Sequence, residues 1–309
     1  MGGERRGAYV ALLVCMVAFG GTWPAGKVAA EHVAPAVAAE TRFVTAAVLL
    51  WVWARLSGRR LARIGRSDLP LVAVLGFTVV FAYNLCFLYG VRHAPATDGS
   101  VLVPGLIPVV TTLLAWPVLG ERPTRRAGIG LAVALAGVVV VADPVGGLGS
   151  GRLAGDALFV GAAFSWAAYT LAGRAAIARF GSVSSNVFAT AVGSLLLLPV
   201  TFLGGGWHEL AAAPAQAWGS IAYLSLAGTV LAFVLFYEGV RLIGAARAAS
   251  FALLVPVFGV LASVLVLGER LRPALAAGGA IVLAGLWLVE RRPVAAADAG
   301  PARRRKLRA

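Results

Sequence analysis

A fifteen-residue stretch occurs twice in this chain and constrains everything around it. The copies run from Pro108 to Arg122 and from Pro256 to Arg270, and in each an apolar run opened by proline stops at Leu-Gly-Glu-Arg. The apolar segment that follows carries Leu-Ala-Gly both times, at Leu135, Ala136, Gly137 and at Leu283, Ala284, Gly285, and matching positions stay 148 residues apart. A repeat this long divides the chain into two copies of one unit, so the fold must be one that can be built twice.

The unit is made of membrane-spanning material. Of 309 residues, 60% are hydrophobic and only 13% charged, with a mean hydropathy of +0.87. A soluble domain carries roughly 25% charged residues. Apolar runs of about 20 residues, the length that crosses a bilayer as a helix, recur throughout. Ten spans are expected: 9–26, 37–56, 69–91, 97–119, 127–142, 156–177, 182–203, 218–240, 245–267 and 273–289. Arg5 and Arg6 before the first run resemble a signal-peptide opening, but the repeat needs this run as its first helix, so it is read as retained.

The net charge of +14 does not indicate nucleic acid, because the basic residues sit in short links and the tail, as topology signals do. With a cytoplasmic N-terminus, 21 of the 27 Lys and Arg fall on the inner side and five on the outer, while Arg42 lies within a span. That bias places both termini in the cytoplasm of a multi-pass plasma-membrane protein. Five spans per repeat is an odd number, so the second copy enters from the opposite side. The expected fold is therefore all-α integral membrane, ten transmembrane helices as two inverted five-helix repeats around a central cavity, the architecture of an alternating-access carrier. The domains are a cytoplasmic N-terminus (1–8), a first repeat (9–145), a glycine-rich linker (146–155), a second repeat (156–290) and a basic tail (291–309).

These features carry a family resemblance. Phe19-Gly20-Gly21-Thr22-Trp23 with Gly26-Lys27, Arg42-Phe43, the two proline-to-Glu-Arg stretches, and Trp166-Ala167 with Tyr169-Thr170 stand in an order similar to that of the EamA-type, ten-helix branch of the drug/metabolite transporter superfamily. The resemblance covers roughly residues 8 to 290. It implies export of small metabolites, amino acids or drug-like compounds through a central cavity.

Individual residues admit two readings each. Glu121 and Glu269 follow glycines suited to ending a helix and read as hairpin caps on the next helix, or as a gate on each face. Pro108 and Pro256, inside spans, either kink the cavity wall or simply pack. The Gly20-to-Pro24 segment interrupts the first span on this reading, which makes Trp23 a cavity candidate; glycines also serve close helix packing. Tyr83 adjoins Asn84, a full amide in an apolar span that either joins helices or meets solute. Ser165, Trp166 and Tyr169 form a polar and aromatic group on the sixth span, with Ser165 and Tyr169 on one face.

Arg42 and Glu238 are the coupling candidates, set against snorkelling for Arg42 and a surface pair with Arg241 for Glu238. Asp98 reads as a cap on the fourth span. His32, His93 and His208 fall on the outer side, and Cys15 and Cys86 read as buried thiols.

The function expected is a secondary transporter, an exporter of small organic metabolites that are amino-acid-like or drug-like, working by alternating access. An exporter of lipophilic cations is the alternative, and a channel or polytopic membrane enzyme stands further off. No HExxH, nucleophile elbow or Walker motif is present, so neither an enzyme nor a cofactor is expected. The expected partners are a small-molecule solute, the lipid bilayer and a candidate homo-oligomer, with no nucleic acid and no metal.

Overall fold

A backbone inside lipid must satisfy its own polar groups, and a chain of this hydropathy does so by forming helices. The structure, a computed structural model, describes residues 2–58, 61–120, 124–143, 151–243, 248 and 250–290, and every long described segment is helical, with no strand among them. The helices are α1 (Gly2–His32), α2 (Pro35–Leu56), α3 (Arg66–His93), α4 (Ala96–Leu119) and α5 (Arg125–Ala142). The second repeat supplies α6 (152–180), α7 (182–204), α8 (215–243), α9 (Phe251–Leu267) and α10 (Pro273–Glu290). α6 and α7 are one continuous stretch that bends at Gly181, where φ is 76° and ψ is 161°.

The ten helical segments form an all-α membrane fold. Leu203 and Leu265 point outward, 90% and 81% exposed, as lipid-facing side chains must. α1 and α6 begin at opposite ends of the bundle. Arg152, at the start of α6, reaches the last turn of α5, whereas α1 ends where Lys27 meets the last turn of α3. The second repeat is therefore inverted relative to the first. The end that holds residues 94–95, 151 and 268–272 is called the first end below; residues 57–58, 61–65 and 181 lie at the second end.

The duplicated Leu-Ala-Gly segments explain themselves in packing. A Cβ added to Gly137 would stand 2.6 Å from the Val282 nitrogen and 2.7 Å from the Gly278 oxygen, and one at Gly285 would collide with the Ala134 backbone. The last helices of the two repeats, α5 and α10, thus touch backbone to backbone, which only small residues permit in a membrane.

The same logic corrects the expectation of a broken first span. α1 runs unbroken through Pro24, and its glycines serve approach rather than interruption. A Cβ at Gly20 would fall 2.7 Å from the Phe258 carbonyl carbon, and Gly21 receives the Tyr223 ring. The true irregularities lie elsewhere. α3 widens to a π-helix over Gly76–Ala82 and α8 does so over Leu226–Leu231. These are the third helix of each repeat. π-bulges are rare and favour functional sites.

Candidate solute path

The two bulges aim polar side chains at one cation. Asn84 Nδ2 donates to the Val79 carbonyl at 2.8 Å and Thr229 Oγ1 to the Leu224 carbonyl at 2.9 Å, each reaching back five residues to an acceptor the bulge displaces. Their oxygens then face Arg42 of α2. Arg42 Nη1 donates to Asn84 Oδ1 at 3.0 Å, and Nε and Nη2 donate to Thr229 Oγ1 at 3.3 and 3.1 Å. Arg42 also lies over the Phe43 ring, 4.8 Å from its centroid. Snorkelling is thereby excluded: Arg42 is 7% exposed, and it is held from both repeats by the interior, not by headgroups. Glu40, two positions away and so turned about 200° around the helix, forms no ion pair with it.

An aromatic ladder leads away from this cluster. Tyr83 lies within electrostatic reach of Arg42 and stacks on Phe87 at 6.1 Å between centroids. Its other neighbour is Trp166 at 5.0 Å, followed by Tyr169 at 5.9 Å. The Tyr169 hydroxyl donates to Asn186 Oδ1 at 3.1 Å, and Asn186 lines a recess between α2, α7 and α8 with Leu50, Trp53, Ser182 and Phe233. Ser165 closes back on the Gly161 carbonyl at 2.9 Å and is half-buried. Trp23 does not join the ladder's open side. It is buried between Phe87 and Phe159, edge-on at 5.0 and 5.8 Å.

The first end is fastened by charge. Asp98, fully buried, accepts from Arg152 Nε at 2.7 Å and from Arg272 Nη2 at 2.5 Å, so the expected cap on the fourth span is instead an ion-pair hub. Pro95 occupies the cap position of α4 without a side-chain bond. The capping role falls to Glu269, whose two oxygens accept the Ala96 and Thr97 N–H groups at 2.8 and 2.9 Å. Glu269 is therefore a helix cap, as the sequence suggests, but on α4 of the other repeat and not on the helix that follows it. Arg152 Nη2 donates to the Val141 and Ala142 carbonyls, and Lys27 Nζ to those of Val91 and Ala94. Each charge meets the helix end of opposite polarity.

The remaining candidates are scattered. Gly120 and Gly268 take the left-handed conformation, φ 69° and 67°. Glu121 lies outside the described residues. Pro108 and Pro256 lie within helices, Pro256 buried. Glu238 is half-buried on α8, and the Arg241 side chain falls outside the described residues. His32 bonds the Val28 carbonyl and Gln216, while His93 and His208 are exposed. Neither the π-bulges nor the Arg42 cluster was legible beforehand, although Arg42 and Asn84 each stood out as lone polar residues in apolar spans.

Comparison with known proteins agrees with this geometry. The EamA-like transporter family matches residues 6–142 and again 153–291, one domain for each five-helix unit. The probable terminal-alkyne amino-acid exporter of Streptantibioticus cattleyicolor is 35% identical over 284 residues, covering 91% of this chain and 93% of that protein. The uncharacterized transporter YetK of Bacillus subtilis is 26% identical over 92% of this chain and 87% of its own length. A solved crystal structure shares the fold with a TM-score of 0.62 at 20% identity, covering 92% of this chain and 96% of that one. With both halves matched, this multi-pass membrane chain belongs to the EamA-like transporter family.

Proposed function

We propose that the chain is a secondary exporter that moves small organic solutes, amino-acid-like or drug-like, between its two repeats by alternating access. The observation that carries this reading is the contrast between the ends. Ion pairs and caps that join both repeats close the first end, while toward the second end Asn186 lines a small recess and accepts a hydrogen bond from Tyr169, the last rung of the Tyr83–Trp166–Tyr169 ladder. The bias of 21 basic residues against five puts the second end in the cytoplasm, the side where an exporter loads. The repeats 9–145 and 156–290 then act as the two bodies that rock about the path. Tyr83, Ser165, Trp166 and Tyr169 line it, Trp23 backs it, and Pro108, Pro256 and Glu269 shape its wall and its closed end. Arg42 beside the ladder disfavours a lipophilic cation, so a neutral or zwitterionic solute is the better fit.

The test is purified protein in liposomes loaded with propargylglycine, a terminal-alkyne amino acid whose efflux is counted by azide coupling. Flux above that of empty liposomes, lost in Trp166→Ala with normal membrane insertion, is the expected result. Flux unchanged by Trp166→Ala would remove the ladder from the path. Repeating the assay with an imposed pH gradient decides whether Glu238 or any other group couples transport to protons; a rate indifferent to the gradient assigns facilitated diffusion.

A further inference from the structure

Among the described residues, the guanidinium of Arg42 has more donors than acceptors that meet them. Of the five N–H groups of an arginine, three are used, one on Asn84 Oδ1 and two on Thr229 Oγ1. Two remain, one on each terminal nitrogen, enough for both oxygens of one carboxylate. Asn84, Thr229 and Arg42 are 1%, 1% and 7% exposed, and among the described residues no carboxylate pairs with the cation. Burying a charge among neutral dipoles is unfavourable until a counter-charge arrives.

The neutral partners fix the cation without neutralising it. Asn84 uses one amide N–H and Thr229 its hydroxyl hydrogen on the carbonyl five residues back, which turns their oxygens toward Arg42. The guanidinium is thus held in one orientation, which a bidentate carboxylate contact requires. Tyr83, adjacent in sequence to the Asn84 that accepts from Arg42, starts the ladder of Trp166 and Tyr169, a surface suited to the apolar part of the same molecule.

We infer that Arg42, oriented by Asn84 and Thr229, is the receptor for the carboxylate of the transported solute, which selects small carboxylates with an apolar or aromatic body. The inference rests on the interior being the solute path. One acceptor comes from each repeat, so the carboxylate binds at the seam between the bodies that must move.

Binding is tested apart from transport. Full-length protein in detergent is followed by thermal unfolding with L-norvaline, L-phenylalanine and their C-terminal amides, and with sodium chloride at matched ionic strength. A ligand of the native state raises the transition temperature, and the shift grows with the logarithm of its concentration over Kd. Either acid should raise it, with the matching amide at least tenfold weaker and chloride without effect beyond ionic strength. Arg42→Gln should abolish the shift, and Arg42→Lys should weaken it at least tenfold because an ammonium lacks the fork. Thr229→Val, which keeps the charge but frees the guanidinium, should weaken it less. Equal shifts from acid and amide, a shift reproduced by chloride, no shift from either acid, or a shift that survives Arg42→Gln would each overturn the assignment. Liposome flux separates this from the transport reading: flux without carboxylate binding at Arg42 overturns the receptor alone, and binding without flux overturns the exporter alone.

Discussion

Two buried arginine clusters in this protein solve the same electrostatic problem in opposite ways. At the first end, Arg152 and Arg272 share the carboxylate of Asp98, and Nη2 of Arg152 donates to the carbonyls that end α5. Asp98, Arg152 and Arg272 thus each face a charge of opposite sign. In the interior, Arg42 has an amide and a hydroxyl. A cluster that is complete in itself is a fastening. One that lacks its counter-charge can accept one, and on the reading proposed above the first cluster holds the protein together and the second meets the solute.

The sharpest way to break this contrast is to remove the shared carboxylate. Asp98→Ala leaves two arginines facing each other across a buried site, with Asp156 at 3.6 Å from Arg152 and Asp143 at 3.9 Å from Arg272 as poor substitutes. Losing one partner of a buried pair costs about 3–5 kcal/mol, and the partial exposure of Arg272 pulls the figure toward the lower bound. The variant should melt well below the parent in detergent, and a cysteine placed at Ala96 should become reactive to a thiol reagent. An unchanged melting temperature with an unreactive cysteine would show that the first end is held by packing and not by charge.

A smaller effect is expected from Glu269→Ala. It removes two charge-assisted bonds to the first turn of α4, and the loss of such a cap costs about 1–2 kcal/mol. Because the cap joins one repeat to the other, the variant should also label faster at Ala96 than Glu269→Gln, which keeps an acceptor. Equal labelling of the two would make Glu269 a local helix cap with no part in closure.

The sequence carries most of the fold, for a physical reason. Span length, hydropathy and the 148-residue repeat are properties of the solvent and of topology, and neither depends on which side chains touch. Most helix ends fall within a few residues of the expected spans, as at Ala96–Leu119 against 97–119, whereas α1 runs Gly2–His32 against 9–26. Contacts between repeats are another matter. Glu269 looks identical in the sequence whether it caps the next helix or α4, because helix polarity is local and the choice of helix is tertiary. Gly20 and Gly21 carry the same ambiguity: a glycine pair reads as a break or as a contact surface, and only the Phe258 backbone and the Tyr223 ring decide. The π-bulges leave no periodic trace over six or seven residues, so the convergence of Asn84 and Thr229 on Arg42 had no linear signal.

Tyr169→Phe probes the ladder with a milder change. The hydroxyl's bond to Asn186 is one neutral hydrogen bond, with a net contribution of about 1 kcal/mol. Thermal unfolding should record a loss of that order, while the aromatic contact with Trp166 and the preference for acid over amide are kept. A lost preference would place carboxylate recognition at Asn186 and not at Arg42.

The smallest stability effect is expected where the functional effect is largest. Arg42→Gln removes a guanidinium that is 7% exposed and lacks a counter-charge, so the desolvation it relieves is considerable. Against this, Thr229 Oγ1 loses two donors and Asn84 Oδ1 one, although the new amide can restore one bond. An unmet buried acceptor costs about 1–3 kcal/mol, comparable to what the lost charge returns. The net change should lie within about 1 kcal/mol of zero, in contrast to the several kcal/mol at Asp98. Thermal unfolding of the ligand-free variant measures it directly. A loss as large as that of Asp98→Ala would mean that Arg42 is a second fastening, fully compensated by its dipoles, and the distinction between the two clusters would collapse. A variant that unfolds with the parent yet gains nothing from norvaline would instead confine the role of the charge to binding.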